Sequence, residues 1–535
     1  MAQAPLDGAT LPGLGSLVTP QRLLRNRSMP FLLHRVLPVL ALLCQVASVI
    51  DQDCESEECD HLVLLQTVSR TKKATSPQKN YWGHARGNVG SLTQTTYGVS
   101  PARLSNLSAS LAWKWVHPTN LSAFVWGTLI DHDRNIIIAS MQGIFKYSPD
   151  SELIWQRKDI LMTQMPVLMG NALYGMMMGS AVMYALDLET GHTIWRKKVA
   201  LTTGQEGDMV EAHNGVLVAA VGMASMPSSV GTPALRAIGV NASNGHELWS
   251  YTPDCGIWNI MALFPDDHST IFMDDCGGLY RVNLFDGSQI WRHIGSHGSM
   301  TDGGNVLGPD GSVYTCSNGP NSQATMNSRG SQAGRLRKYS VQDGTMLWET
   351  VLPNACMNFP SVSPDGETVV LADGANVLDP PMKWVHGKSR EVVEREWVLQ
   401  QALLRNKTQL QHYGLDNIDA SLSGFDAHTG SVKWTHQVEP WYGMSFALDE
   451  ERAYLWDKGQ HPFGHCGPPH WGGPTIDQDG KVYIGRSDGY LYVYDPSSQT
   501  ETKFLTGDGA LMGGVAFAPG LMVVPTCSWL YVFKY

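Results

Sequence analysis

Apolar and polar positions alternate through most of this chain in short runs, broken at regular intervals by turn residues. Alternation at period two predicts β-strands. Seven segments repeat one arrangement: an alternating apolar run, a polar turn, and a short run closing on an aromatic residue. They are IFKYSPDSELIW (Trp155), VMYALDLETGHTIW (Trp195), LRAIGVNASNGHELW (Trp249), LYRVNLFDGSQIW (Trp291), LRKYSVQDGTMLW (Trp348), LSGFDAHTGSVKW (Trp434) and the degenerate LYVYDPSSQTETKF (Phe504). Each predicts a hairpin. Gly191, Gly245, Gly287, Gly344 and Gly430 stand four residues before the Trp, with Ser151 in that place in the first unit. Glycine suits a turn residue at positive φ. Asp187, Asn241, Asn283 and Asp426 stand four residues before the glycine, where a side-chain oxygen can accept from turn N–H groups.

The positions of the Trp residues give steps of 40, 54, 42, 57 and 86 residues. The basic period is therefore about 40, the length of a four-stranded propeller blade, and longer steps carry insertions. Two more strand-like runs precede each hairpin, as in Met165–Met178 and Asn259–Asp275. These supply strands a and b, and the hairpin supplies c and d. The C-terminal runs GVAFAP, LMVVPTC and WLYVFKY give a, b and c without d, while LAWKWV (Leu111–Val116) gives a lone d. Pairing the two ends closes a ring and removes its open edges. The expected fold is all-β, an eight-bladed propeller of four-stranded blades over residues 105–535.

Ala185, Asp187, Thr190, Gly191 and Trp195 spell A-x-D-x-x-T-G-x-x-x-W, and Asp426, Thr429, Gly430 and Trp434 repeat it with Gly424 in place of Ala. In this the chain resembles the pyrroloquinoline quinone (PQQ)-repeat family over roughly residues 105–535. The resemblance implies that Trp155, Trp195, Trp249, Trp291, Trp348 and Trp434 dock one blade on the next. The family holds quinoprotein dehydrogenases and non-catalytic propellers such as the bacterial outer-membrane assembly lipoprotein BamB. An enzyme of this family implies PQQ over a Trp, calcium held by carboxylate and amide, an Asp base, and often a ring of two adjacent cysteines. This chain has no adjacent cysteine pair. Its acid pairs Asp266-Asp267 and Asp274-Asp275 are expected at turns, and no residue set matches the calcium site. No catalytic residue is assigned, and the non-catalytic branch is favoured. An open central pocket with a Trp floor and converging acids would mark the enzyme. A plugged channel would mark a scaffold.

Composition narrows the partners. Net charge is −11, with only 16% charged residues, which argues against nucleic acid. Residues 1–50 read as an N-terminal extension with a signal peptide. Its core lies in Met29–Ile50, flanked by Arg22, Arg25, Arg27 and Arg35. A retained signal anchor, making a single-pass membrane protein, is the alternative, and the long stretch before Met29 leaves open whether Met1 or Met29 is the start. Residues 51–104, acidic and then Ser/Thr/Lys-rich, are expected to be a disordered linker. A lumenal or extracellular location predicts glycans at the sequons of Asn106, Asn120, Asn241 and Asn406, and oxidised cysteines.

Nine cysteines are present. Cys44 would leave with the signal peptide, and Cys54 and Cys59 are close enough to bridge. Cys276, Cys316 and Cys527 are expected at the ends of b strands, and Cys255, Cys356 and Cys466 in d-to-a connections. Those loops share one rim. The favoured pairs are Cys255–Cys276, Cys316–Cys356 and Cys466–Cys527, although sequence does not fix connectivity among six.

The same rim collects the insertions Gly222–Pro233, Ser317–Gly334 and Gly374–Ser421. The last, a helical insertion of about 374–421, contains Val392, Val393, Trp397, Leu399, Leu403 and Leu404 at amphipathic helical spacing. The connection Trp456–Gly473 carries His461, His465, Cys466 and His470, a nitrogen and sulfur set that can hold zinc or copper. A rigid Pro/Gly loop is the plainer reading of it, and Cys466 is also wanted for a disulfide. The function expected is a binding scaffold whose rim takes a protein or glycan partner, with no cofactor favoured. The alternative is a PQQ/calcium-dependent alcohol or sugar dehydrogenase with diverged ligands.

Overall fold

The computed structural model describes residues 79–535, apart from 85, 91–92, 117–126, 141, 162–164, 178, 204–208, 223–233, 258–259, 297–303, 320–333, 355, 357, 375–419, 440–470 and 510–512. These residues form eight four-stranded antiparallel sheets, each ordered a-b-c-d. In the second blade the strands are Val167–Met169, Ala172–Met177, Val182–Asp187 and Thr193–Lys198. The only helical turns among the described residues are Pro101–Leu104 and Leu107–Ser110.

The eighth blade is composite, as the unmatched terminal strands require. Strand Leu111–Val116 pairs antiparallel with Trp529–Lys534, which continues to Leu521–Pro525 and Ala516–Ala518. The ring is therefore closed by hydrogen bonds between the two ends of the domain.

Sequence character sets each strand's depth. The b strands are near-continuous apolar runs, and Ala172–Met177 and Val216–Val221 are buried throughout. The d strands alternate, as in the polar, largely exposed TIWRKK of the second blade. Strand a therefore lines the central channel and strand d the circumference.

Blade-to-blade docking follows the repeat. The indole N–H of Trp155 donates to the Leu188 carbonyl of the next blade at 3.1 Å. Trp195, Trp249, Trp291 and Trp348 do the same to Ala242, Leu284, Val341 and Ala427. Each indole lies flat on the turn glycine of the following blade. A Cβ on Gly191, Gly245, Gly287, Gly344 or Gly430 would approach an indole carbon of the preceding blade within 2.7–2.8 Å, and each has φ near +70°. The side-chain oxygens of Asp187, Asn241, Asn283 and Asp426 accept from the turn N–H groups that follow.

The first position of the motif has two solutions. Gly239 and Gly424 lie beneath Trp249 and Trp434, where a Cβ would come within 2.1 and 2.3 Å of the ring. Where a cation replaces the small residue, it joins the docking bond instead. Lys146 and Lys338 donate to the carbonyls of Leu188 and Ala427, the same acceptors that take the indole N–H. Asp131 and Asp310 pair with those ammonium groups at 2.8 and 2.7 Å.

One expectation is corrected. The stretch assigned to a disordered linker ends earlier than residue 104. From residue 79 the described chain is packed on the propeller, with Trp82, His84, Arg86, Thr93 and Val99 buried. Its Gly, Ser and Thr content reads as linker, but Trp82 joins the core of the first and eighth blades and His84 bonds Glu211 inside the ring.

Candidate functional site

The short segment before the first blade passes through the place where a propeller would hold a ligand. Trp82 exchanges backbone hydrogen bonds with Ile130 on the innermost strand of the first blade, both at 2.9 Å. Gly83 accepts from Leu168 of the second blade, and His84 Nδ1 bonds Glu211 of the third. Val89 and Gly90 accept from Phe264 and Leu307 of the fourth and fifth. Thr93 donates its hydroxyl to Ser361 of the sixth, and Thr93 and Thr95 bond Ile476 of the seventh. The Thr93 methyl lies against Gly514, just ahead of the innermost strand of the eighth. The described residues of 82–95 thus meet the channel wall in every blade. Thr93 is held at φ +40°, an uncommon conformation for a β-branched residue, fixed here by bonds to Arg86, Ser361 and Ile476.

The side chains above this segment are apolar. Met165, Met209, Ile260, Met261 and Phe359 come from the d-to-a connections that follow the first, second, third and fifth blades. They belong to one buried cluster, against which Val89 packs. Arg86, with no exposed surface, lies over the Phe359 ring at 3.8 Å from its centroid. Sequence reasoning missed Trp82, His84, Arg86 and Thr93, because nothing in a single non-repeated segment signals where it docks.

The cysteine-bearing rim is built as expected where it is described. Cys255 bonds Cys276 and Cys316 bonds Cys356, with Cα separations of 6.0 and 5.9 Å. Cys527 is disulfide-bonded, and Cys466 lies outside the described residues. Each bridge ties a d-to-a connection to the end of a b strand, with polar side chains bracing it. Asp274 accepts from the backbone N–H of Cys255, Cys276 and Gly278 and from the Tyr280 hydroxyl. Asn318 accepts from Cys356 N–H at 2.7 Å. Cys255, Asp274 and Cys276 are the one grouping of potential metal ligands among the described residues, but both sulfurs are bonded to each other.

Burial pushes the Asp275 carboxyl up to about 7, and the neighbouring Asp274 adds to the rise. A carboxyl raised on folding stabilises the native state below its unfolded value near 4, and that contribution is lost as pH climbs through 7. Asp275→Asn removes the ionisation. Its stability advantage over wild type is expected to grow by about 2–4 kcal/mol between pH 4 and pH 8. Urea unfolding at the two pH values measures this, and a difference that does not change with pH contradicts the assignment.

Other predicted site residues are dispersed. His461, His465, Cys466 and His470, the helical insertion, the N-terminal apolar run, Cys54 and Cys59, and the sequons at Asn120 and Asn406 lie outside the described residues. Asn106 is exposed, while Asn241 uses its oxygen in a hairpin turn.

The family model for outer membrane protein assembly factor BamB matches residues 179–378. Over those residues the chain is similar to the PQQ-repeat family, and its described residues fold as an eight-bladed β-propeller. No curated protein matches it in sequence. Among solved structures, this propeller is similar to the quinohemoprotein alcohol dehydrogenase ADHIIG of Pseudomonas putida HK5, at 11% identity and a TM-score of 0.54, covering 86% of this chain and 80% of that one. The quinohemoprotein alcohol dehydrogenase of Comamonas testosteroni gives 11% identity, a TM-score of 0.54, and 86% and 81% coverage. A europium-containing methanol dehydrogenase gives 12%, 0.52, and 85% and 98%. At these identities the likeness is one of fold.

The described polar groups of this propeller do not fit a quinone and calcium pair. Glu211, the acid of the channel wall, is bonded to His84. Asn358 donates to the carbonyls of Trp471 and Gly472 and accepts from Phe359 N–H. Asp373 accepts from both the amide and hydroxyl of Ser421, and Asp477 from Lys481 N–H and the Tyr483 hydroxyl. These groups are spent within the fold, in different blades, rather than aimed at a common ligand.

Proposed function

We propose that this propeller is a non-catalytic scaffold of the secretory pathway or extracellular space, which binds a protein partner through its insertion-bearing rim. The observation that carries this reading is the chain's own segment 82–95, which meets the channel wall blade by blade where an enzyme of this fold would need an open pocket. The disulfides support an oxidising compartment. No helix of the described residues is long and apolar enough to cross a membrane. Large connections on one face of a rigid ring are the usual place for recognition, and the b strands that lead into the longest of them end on the disulfide-braced side. A glycan partner fits the same surface and is separated from a protein by glycan-array binding.

The competing reading, a quinone-dependent alcohol or sugar dehydrogenase, is tested by reconstitution. Purified protein is titrated with PQQ and calcium and assayed for dye reduction across alcohols and sugars. The scaffold predicts no saturable one-to-one quinone binding and no turnover. Stoichiometric binding with turnover would overturn it.

A further inference from the structure

Arg86 is completely buried, yet its guanidinium is only partly partnered. Nη2 donates to the Pro360 carbonyl at 3.3 Å. Nε and Nη1 have no hydrogen-bond partner. A guanidinium carries five N–H donors in a rigid planar fork, one on Nε and two on Nη1 among them. Three N–H groups are thus left without an acceptor in a site closed to solvent. Buried polar groups are nearly always satisfied, so a native orphan of this kind marks an acceptor that the protein chain does not supply.

The surroundings define that acceptor. One face of the fork is covered by Phe359, itself buried, so access is in the plane of the fork, where a bidentate acceptor binds. The neighbouring acid does not serve, because Glu211 is taken by His84. Burial lowers Arg86 to about 9, with Glu211 acting in the opposite direction, so the group keeps its charge at neutral pH. A second orphan donor, Asn305 Nδ2, lies on the innermost strand of the fifth blade. It follows Gly304, where an added Cβ would run into the same Phe359 ring. The unmet groups are donors around a cation, which calls for an anion. Their complete burial calls for a small one.

We propose that the channel holds one small oxyanion, of carboxylate or phosphate size, on Nε and Nη1 of Arg86. The site differs from a quinone site in its origin, since its cation comes from outside the blades. It stands whether or not the rim binds a protein.

The test begins with the wild-type protein. Exhaustively desalted protein is denatured and its released anions are measured by ion chromatography. In parallel, thermal melts are recorded in acetate, phosphate and chloride at matched ionic strength. About one acetate- or phosphate-sized anion per chain is expected. If the anion is lost on purification, acetate or phosphate is expected to give a saturable rise in Tm of about 3 °C at a hundredfold excess over Kd, absent with chloride. Acetate acting alone assigns a planar carboxylate, and phosphate acting alone a tetrahedral anion. Arg86→Met, or Arg86→Lys if the former does not fold, is expected to abolish the anion-specific rise. Wild-type protein that releases no oxyanion and melts identically in all three salts would overturn the proposal, leaving water as the acceptor.

Discussion

A chain beginning at Ser100, without the channel segment, is expected to lose cooperative folding under conditions where the longer chain is stable. Trp82 is among the largest fully enclosed side chains, at 2% exposure. Removing one buried Trp side chain costs about 3–5 kcal/mol. The truncation also strips Glu211 of its histidine and its nearby arginine, leaving an uncompensated buried charge worth a further ~3 kcal/mol or more. Backbone partners of Ile130, Leu168, Phe264, Leu307 and Ile476 disappear with it. Against a typical net stability of about 5–15 kcal/mol, these losses are decisive. Trp82→Ala is the milder version, expected to lower stability by about 3–5 kcal/mol in urea unfolding. If the chain starting at Ser100 melts cooperatively near the temperature of the longer one, the segment is an ornament and the channel reading fails.

Gly245→Ala is expected to cost about 2–4 kcal/mol, while Gly215→Ala costs only about 1 kcal/mol. Both glycines adopt left-handed backbone, at φ +70° and +81°, so the conformational penalty of an added Cβ is shared. They differ in what the new methyl meets. At Gly245 it would lie 2.8 Å from the Trp195 ring, and at Gly215 nothing lies within 4 Å. To admit the methyl, Trp195 must withdraw and its 2.8 Å bond to the Ala242 carbonyl lengthens. The difference between the variants therefore isolates blade docking from turn strain. Equal destabilisation of the two, measured by denaturant unfolding, would mean that the Trp–glycine contact contributes nothing.

The ring was legible in the sequence because its information is repeated. Each hairpin carries the same Asp or Asn, glycine and Trp, so an imperfect unit is read through its neighbours, and the orphan strands Leu111–Val116 and Trp529–Lys534 identify each other by what each lacks. Two disulfide pairs were legible for a related reason. Placing three cysteines at the ends of b strands and three in d-to-a connections puts all six on one rim, where Cys255 pairs with Cys276 and Cys316 with Cys356. The channel segment was not legible. It occurs once, has no period, and contains the glycines and hydroxyl residues of a linker. Its aromatics Tyr81, Trp82 and Tyr97 are the residues of it that a linker would not need. The use of Lys146 and Lys338 as docking donors was also hidden, since a cation beside a Trp reads as surface until the carbonyl they share is seen.

The scaffold reading rests on the described residues of 82–95 running along the channel wall from blade to blade. Hydrogen exchange of the intact protein, resolved by peptide mass spectrometry, tests it most directly. Amides of Trp82, Thr93 and Thr95 donate to Ile130, Arg86 and Ile476. Peptides spanning residues 82–95 are expected to exchange as slowly as the innermost strands, with protection lost only on global unfolding. Exchange of that segment within seconds, while the blades stay protected, would contradict it.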